Sequence, residues 1–276
     1  MPEPTTAELL AFALALADAA DAVTLRHYRG GGTAWRKADA SYVTLADTET
    51  ESLLRSRIGD RYPGHSVLGE EEGETRAPMS LHAQPGAPPP PRWIVDPVDG
   101  THNFVRGIPV WATLVACERG GRVEVGVASA PALGTRWWAG RGLGAYRGEL
   151  RASGAGGGER IAVSRVARLE DAQVAYGSYR LTLDAWGGRA DALLRGAWRQ
   201  RGFGDFWGHC LVAEGAAEVM LEGEIAPWDI AAVQVIVEEA GGALTDVDGR
   251  ARLDAGHCIT TNGLLHAAVL RGLRGD

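Results

Sequence analysis

Asp96 and Asp99 stand three positions apart in "WIVDPVDGTHNF" (93–104), with Pro97 between them, an apolar run before them and Gly100-Thr101 behind. Two carboxylates so close repel each other unless a positive group is held between them. More acids gather at comparable places. Glu70, Glu71 and Glu72 lie in "VLGEEEG" (67–73), just after the strand-like 66–68, and Asp229 lies in the first helical turn of "PWDIAAVQVIVEEAGG" (227–242). Asp47 stands at another helix start. Each has a plain structural explanation: Asp47 and Asp229 as helix N-caps worth about 1 kcal/mol, the glutamates as a solvated turn. Gathered at the ends of separate elements, they form the hard-oxygen set that Mg²⁺ prefers, with water or a substrate phosphate completing the octahedron. No histidine or cysteine stands among these carboxylates, which argues against zinc.

The elements that must hold them read as a layered α/β chain. Thr5-Thr6-Ala7-Glu8 fits a capping box opening a helix that runs to about His27, and a second helix after Asp47 carries Leu53, Leu54 and Ile58. Strands are expected at 93–95, 110–117, 123–128 and 136–139, separated by Gly-rich turns. After "SGAGGGE" (153–159), strands near Ile161, Val174, Val219, Leu244 and Ile259 alternate with helices near 181–195, 206–215, 230–240 and 263–272. That glycine run is the best internal boundary. It divides the chain into an N-terminal half, 1–152, with the acidic motifs, and a C-terminal half, 159–276, that completes one catalytic unit. The Pro-rich stretch 77–91 reads as an exposed loop.

Composition narrows the function. A chain of 276 residues with 45% apolar and 23% charged residues is long enough for a large core, and its net charge of −7 speaks against a nucleic-acid footprint. Cys117, Cys210 and Cys258 are odd in number and widely spaced, so they read as buried thiols in a reducing compartment. The apolar run from Leu9 to Ala17 is too short to span a membrane and is flanked by acids, unlike a signal peptide. The expectation is a cytoplasmic protein without membrane or nucleic-acid partners.

The three acidic segments, together with "KADASYVTLADTETE" (37–51), resemble the signature segments of the inositol monophosphatase family of Mg²⁺-dependent, lithium-sensitive phosphatases. The resemblance runs nearly end to end. It implies an α/β fold of five layers, αβαβα, usually a homodimer, hydrolysing a small phosphate monoester with two to three Mg²⁺ ions per site. By position, Glu70, Asp96 and the Val98 carbonyl hold one metal, and Asp96, Asp99 and Asp229 hold a second. Glu71 lies just outside them or helps a third. Asp47 and Thr101, with Glu70, serve catalysis by orienting the attacking water, and Asp99, Gly100 and Thr101 bind the phosphate. The chemistry is consistent: two metals about 3.5–4 Å apart clamp the attacking and leaving oxygens. Pro97 stiffens the turn, and the helix start at Gly100-Thr101 offers free amides to phosphate oxygens.

The leaving group is expected to be read by "RGFGDFWGHCLVAEGAAEVMLEGE" (201–224), where Arg201, Gly204, Asp205 and Glu222 join Asp229 as substrate contacts. Asp205 suits an ammonium, while Phe206 and Trp207 suit a flat imidazole. This segment, with "IPVWATLVA" (108–116) and "APALGTRWWAG" (130–140), resembles the histidinol-phosphatase branch of the family. An inositol-1-phosphate, fructose-bisphosphate or adenosine-bisphosphate phosphatase is the alternative, and a scaffold that lost catalysis is disfavoured by the intact acid set. Asp205 has a second explanation as a helix N-cap. Trp111, Trp137 and Trp138 have one as core or dimer packing, Lys37 and Arg201 as solvated cations, and His102 as a residue without a role in proton transfer.

Overall fold

The computed structural model describes residues 3–28, 34–36, 42–77, 89–150 and 157–275. Lys37, most of the Pro-rich stretch and positions 151–156 of the glycine run lie outside them. The chain begins with α1 (Thr6–His27), the short hairpin β1 (Ala34–Arg36) and β2 (Tyr42–Thr44), and α2 (Leu45–Arg61). Thr5 and Glu8 form the expected capping box on α1, and Thr44 and Asp47 form a second one on α2. Asp47 is therefore the third residue of its helix, and Thr44 is the N-cap.

An eight-stranded sheet follows, from β3 (Ser66–Gly69), β4 (Gly73–Thr75) and β5 (Arg92–Asp99) through β6 (Ala112–Arg119), β7 (Arg122–Ala130), β8 (Thr135–Gly140), β9 (Gly144–Glu149) and β10 (Glu159–Arg160). Its order is β10-β9-β8-β7-β6-β5-β3-β4, antiparallel except for the parallel pair β3–β5. The five-residue α3 (Thr101–Val105) leaves β5 directly. The remaining chain forms β11 (Gln173–Tyr176), α4 (Tyr179–Trp186), α5 (Gly188–Gly196), β12 (Arg199–Arg201), α6 (Asp205–Ala213), β13 (Val219–Glu222), α7 (Pro227–Glu239), β14 (Ala243–Thr245), β15 (Cys258–Thr261) and α8 (His266–Arg274). Its five strands lie in the order β12-β11-β13-β15-β14.

Five layers result, as expected. α1 and α2 cover one face of the large sheet through Leu9, Leu16, Leu54 and Ile58 against Trp93, Val115 and Val127. α6 and α7 fill the space between the sheets, and α4, α5 and α8 close the far face of the small one. Sequence explains the placing of α7: every residue from Ile230 to Val237 is buried, and a helix apolar all round must sit between two layers. Strands β5 to β8 are apolar on both faces for the same reason.

Two expectations are corrected. The helix expected over 181–195 is two helices, divided at Gly187. β5 continues to Asp99 rather than ending at Val95, because a bulge lets the DPVD run keep its ladder with β6. Glu159–Arg160 pairs with β9 on the large sheet, so that sheet takes in the first residues after the glycine run. The three cysteines are buried thiols. Among the described residues, no helix is long and apolar enough to cross a membrane.

Candidate active site

A regular strand would place Asp96 and Asp99 on opposite faces, since side chains alternate and the two are an odd number of residues apart. The β5–β6 register resolves this. Asp96 pairs with Leu114 and Asp99 with Ala112, so three steps on β5 match two on β6, and both carboxylates reach one face. The turn is locked from within: the Val98 N–H donates to Asp96 Oδ1 at 3.0 Å, and the Thr113 hydroxyl donates to the Pro97 carbonyl at 2.8 Å. Gly100, the N-cap of α3, then takes φ +81, a left-handed conformation that suits glycine, and a Cβ there would lie 3.1 Å from the Val110 carbonyl.

Asp229 joins them from the first turn of α7. Pro227 opens that helix, and Asp229 Oδ2 accepts the Ala226 N–H at 2.7 Å, which fixes its carboxylate. One oxygen each from Asp96, Asp99 and Asp229 falls within 4.8 Å of the others. Asp96 and Asp99 are buried, and burial first, then neighbouring acids, pushes both carboxyls well above the usual carboxylate range. Glu70, Asp99, Asp229 and Asp47 act on Asp96; Asp205, Asp229 and Glu222 act on Asp99. Such a concentration of negative charge and hard oxygen donors fits a divalent cation held between the three side chains.

Glu70 and Asp47 stand beside that trio rather than within it. Asp47 is fully buried, and its Oδ2 accepts both the Thr44 N–H at 2.8 Å and the Thr44 hydroxyl at 2.6 Å. Its Oδ1 is buried without a hydrogen-bond partner, an acceptor left open. Burial, with the Glu70 charge adding to it, raises the Asp47 carboxyl to about 6. The Thr101 hydroxyl donates to the Val98 carbonyl at 2.9 Å and keeps its lone pairs for a further donor.

Sequence reasoning missed Glu51. It is fully buried, and its carboxylate accepts the N–H groups of Glu71 at 2.8 Å and Glu72 at 2.9 Å while Arg55 Nε donates to it at 2.9 Å. Its oxygens press so closely on Gly69 that a Cβ there would lie 2.4 Å away. The 70–72 turn therefore hangs on one carboxylate of α2. The available signal was spacing: Glu51 is one helical turn past Asp47, on the same face of the same helix.

The expected leaving-group segment is only partly at the site. Asp205 is the first residue of α6, Gly204 is its N-cap, and no side chain caps that end. Asp205 thus does not act as the cap. It is the one non-glycine with positive φ among the described residues, at +55. Its Oδ2 accepts from Asn103 Nδ2 at 3.3 Å, and burial raises its carboxyl, with exposed His102 opposing. The amides of α6 are already claimed: Phe206 N–H donates to Asp99 Oδ2 at 2.7 Å and Asp205 N–H to Glu222 Oε1 at 3.1 Å. Buried Glu222 is likewise raised by desolvation and the Asp205 charge. Asp205, Glu222 and Asp99 therefore form one acidic wall.

Other expectations fall away. Phe206 is fully buried in the main core, packed 6.0 Å from Trp137, so it has no free face for an imidazole. Trp207 packs on Phe203 at 4.8 Å. Trp111 is buried against Tyr28 and Phe104, Trp137 donates to Glu214, and Trp138 stacks on Tyr146: all three are packing residues. Arg201 donates to the neighbouring Gln200 carbonyl at 2.9 Å and forms no ion pair among the described residues. The structure does not bring it to the carboxylates.

An acidic centre at a strand bulge, between a β sheet and a central helix, is a place where a divalent cation could be held. The inositol monophosphatase family profile matches residues 5–274, and the chain belongs to that family. It is 44% identical over 272 residues to a histidinol-phosphatase of Mycobacterium tuberculosis, covering 96% of this chain and 97% of that protein. A histidinol-phosphatase of Streptomyces coelicolor is 42% identical over 271 residues, covering 95% of each chain. Among solved structures, an inositol monophosphatase of Thermotoga maritima superposes with a TM-score of 0.78 at 30% identity, covering 96% of each chain.

Proposed function

We propose that this protein hydrolyses L-histidinol phosphate to L-histidinol and phosphate with two to three Mg²⁺ ions, as a cytoplasmic homodimer. Residues 1–152 and 159–276 act as two halves of one catalytic unit. The single observation that carries the substrate assignment is Asp205: a half-buried, strained carboxylate in the acidic wall, in no Lys or Arg ion pair among the described residues, with His102 as the positive charge that acts on it. A substrate ammonium is a complement that such a carboxylate can take. The relatives named histidinol-phosphatase support the same reading. Trp198, 62% exposed, and the family's usual assembly support the dimer.

Asp96, Asp99, Asp229, Glu70 and the Val98 carbonyl would hold the metals, with Glu71 beside them. When bound, these ions neutralise phosphate charge and stabilise the charge that develops as the ester breaks. The side chains do the rest. Asp47 Oδ1 and the Thr101 hydroxyl accept hydrogen bonds from a water and aim its oxygen at phosphorus. Gly100 and Thr101 present amides to the phosphate oxygens. Asp205, backed by Glu222 and the Gly204 turn, anchors the ammonium so that the ester oxygen faces away from the water. The P–O bond to histidinol breaks as the water oxygen bonds to phosphorus; the attacking water gives up a proton and the departing alkoxide takes one up from solvent, so that histidinol and phosphate leave with the protons balanced.

A phosphate-release assay with Mg²⁺ across histidinol phosphate, inositol-1-phosphate, fructose-1,6-bisphosphate and adenosine 3′,5′-bisphosphate tests this. Histidinol phosphate should have the highest kcat/KM. A preference for inositol-1-phosphate would return the chain to the broader inositol phosphatase reading.

A further inference from the structure

Behind α7 lies a cavity of about 500 Å³ that the reaction does not use. Small-molecule sites fall in the range of about 300–1,000 Å³. Its walls come from the start of β5, the β6–β7 turn, the β8–β9 turn, the flank of α7 and the loop at 251–254. Arg92 stands at this end of β5 and Asp96 four residues further on, so the cavity and the carboxylate trio lie about 13 Å apart along the strand.

Four arginines line it, and three of them are already matched. Arg92 pairs with Glu118 at 2.7 Å, Arg252 with Asp254 at 2.8 Å, and Arg141 with Glu238. Arg122 is exposed and makes no ion pair among the described residues, so one positive charge is left over. Gln234, facing the same cavity from α7, is 95% buried, because only 5% of it is exposed, and its carboxamide has no hydrogen-bond partner among the described residues. The Gln234 amide opens on the cavity rather than on a protein partner, and with an unmatched guanidinium lining the same cavity it makes an incomplete polar site.

We infer that this cavity binds a small metabolite carrying one oxyanionic group, carboxylate or phosphate, taken by Arg122, and a second polar group taken by Gln234. The three lining carboxylates disfavour a multiply charged anion. Arg122 is a guanidinium and can hold either oxyanion through two parallel hydrogen bonds. The cavity is distinct from the reaction centre, although both are built on α7, which lends Asp229 to one and Gln234 to the other.

The test is calorimetric titration of the full-length, Mg²⁺-loaded protein with succinate monomethyl ester and, separately, with inorganic phosphate, in wild type, Arg122→Ala and Gln234→Leu. Product phosphate also binds the Mg²⁺-loaded reaction centre, equally in all three proteins; beyond that event, one oxyanion should show a further binding event weakened about 10-fold or more in both variants, as expected for loss of a charge-assisted contact. Which of the two does so assigns carboxylate or phosphate. Phosphate release without added oxyanion should stay at the wild-type rate in both variants. No binding event beyond product phosphate at the reaction centre, or a further event unchanged in both variants, overturns the inference. Arg122 is exposed, so its removal leaves the fold intact and a negative result decisive.

Discussion

Glu51→Gln separates a residue that holds the site from one that merely holds the fold. The substitution keeps the shape but replaces one carboxylate oxygen with an amide nitrogen, a donor facing either Arg55 Nε and the Glu72 N–H or the Glu71 N–H. Whichever way the amide turns, two donors meet in a fully buried place. Removing one partner of a buried pair costs about 3–5 kcal/mol. The hydrogen bonds overlap with that figure, so they do not add to it. Part of the loss falls on the 70–72 turn: one N–H bond to a charged acceptor is worth about 1.5–3 kcal/mol. If the lower value is what orders Glu70, Mg²⁺ affinity should fall about 10-fold. Urea unfolding in EDTA reads the first effect, and Mg²⁺ titration by calorimetry reads the second without any substrate. Lost stability with an unchanged Mg²⁺ affinity would refute the positioning role and leave Glu51 a structural residue. Unchanged stability would refute the buried bonding itself.

Three further outcomes follow from the same geometry. Asp96→Asn should abolish phosphate release while raising the melting temperature of the metal-free protein, because it removes a buried charge repelled by Glu70, Asp99 and Asp229; retained kcat with Mg²⁺ would contradict its central place. Asp205→Ala should lower kcat/KM for histidinol phosphate about 10- to 150-fold, the worth of a charge-assisted contact of about 1.5–3 kcal/mol, and leave inositol-1-phosphate little changed, so equal losses on both would contradict an ammonium contact. The metal-free protein should lose stability as pH rises from about 4 to about 6, since burial raises Asp47 from its ordinary 3.8 to about 6 and the folded state then binds more protons than the unfolded one. That contribution is worth about 3 kcal/mol from the size of the shift; Asp96, Asp99, Asp205 and Glu222 act with the same sign. EDTA-treated protein melted across this window should show it, and Asp47→Asn should make it shallower.

Much of this protein was legible in its sequence because the information is local. The Thr5–Glu8 capping box, the apolar stretch of α7 and Pro227 ahead of Asp229 each set an element or its end by contacts within a few residues. The acidic segments themselves were visible as motifs, and their order along the chain pointed to a family. Convergence was not visible. Whether Asp96 and Asp99 face the same way depends on a register shift against Leu114 and Ala112, which belongs to the pairing of two strands. Phe206 reads as a ligand-stacking aromatic in one dimension, yet its side chain fills the core while its N–H holds Asp99 from across the fold. Glu51 looks like an ordinary acid of an amphipathic helix until the 70–72 turn, some twenty residues on, folds over it. Local propensity decides where helices and strands begin. Long-range hydrogen bonds and the exclusion of water decide which charges must face one another, and those exist only once the layers have closed.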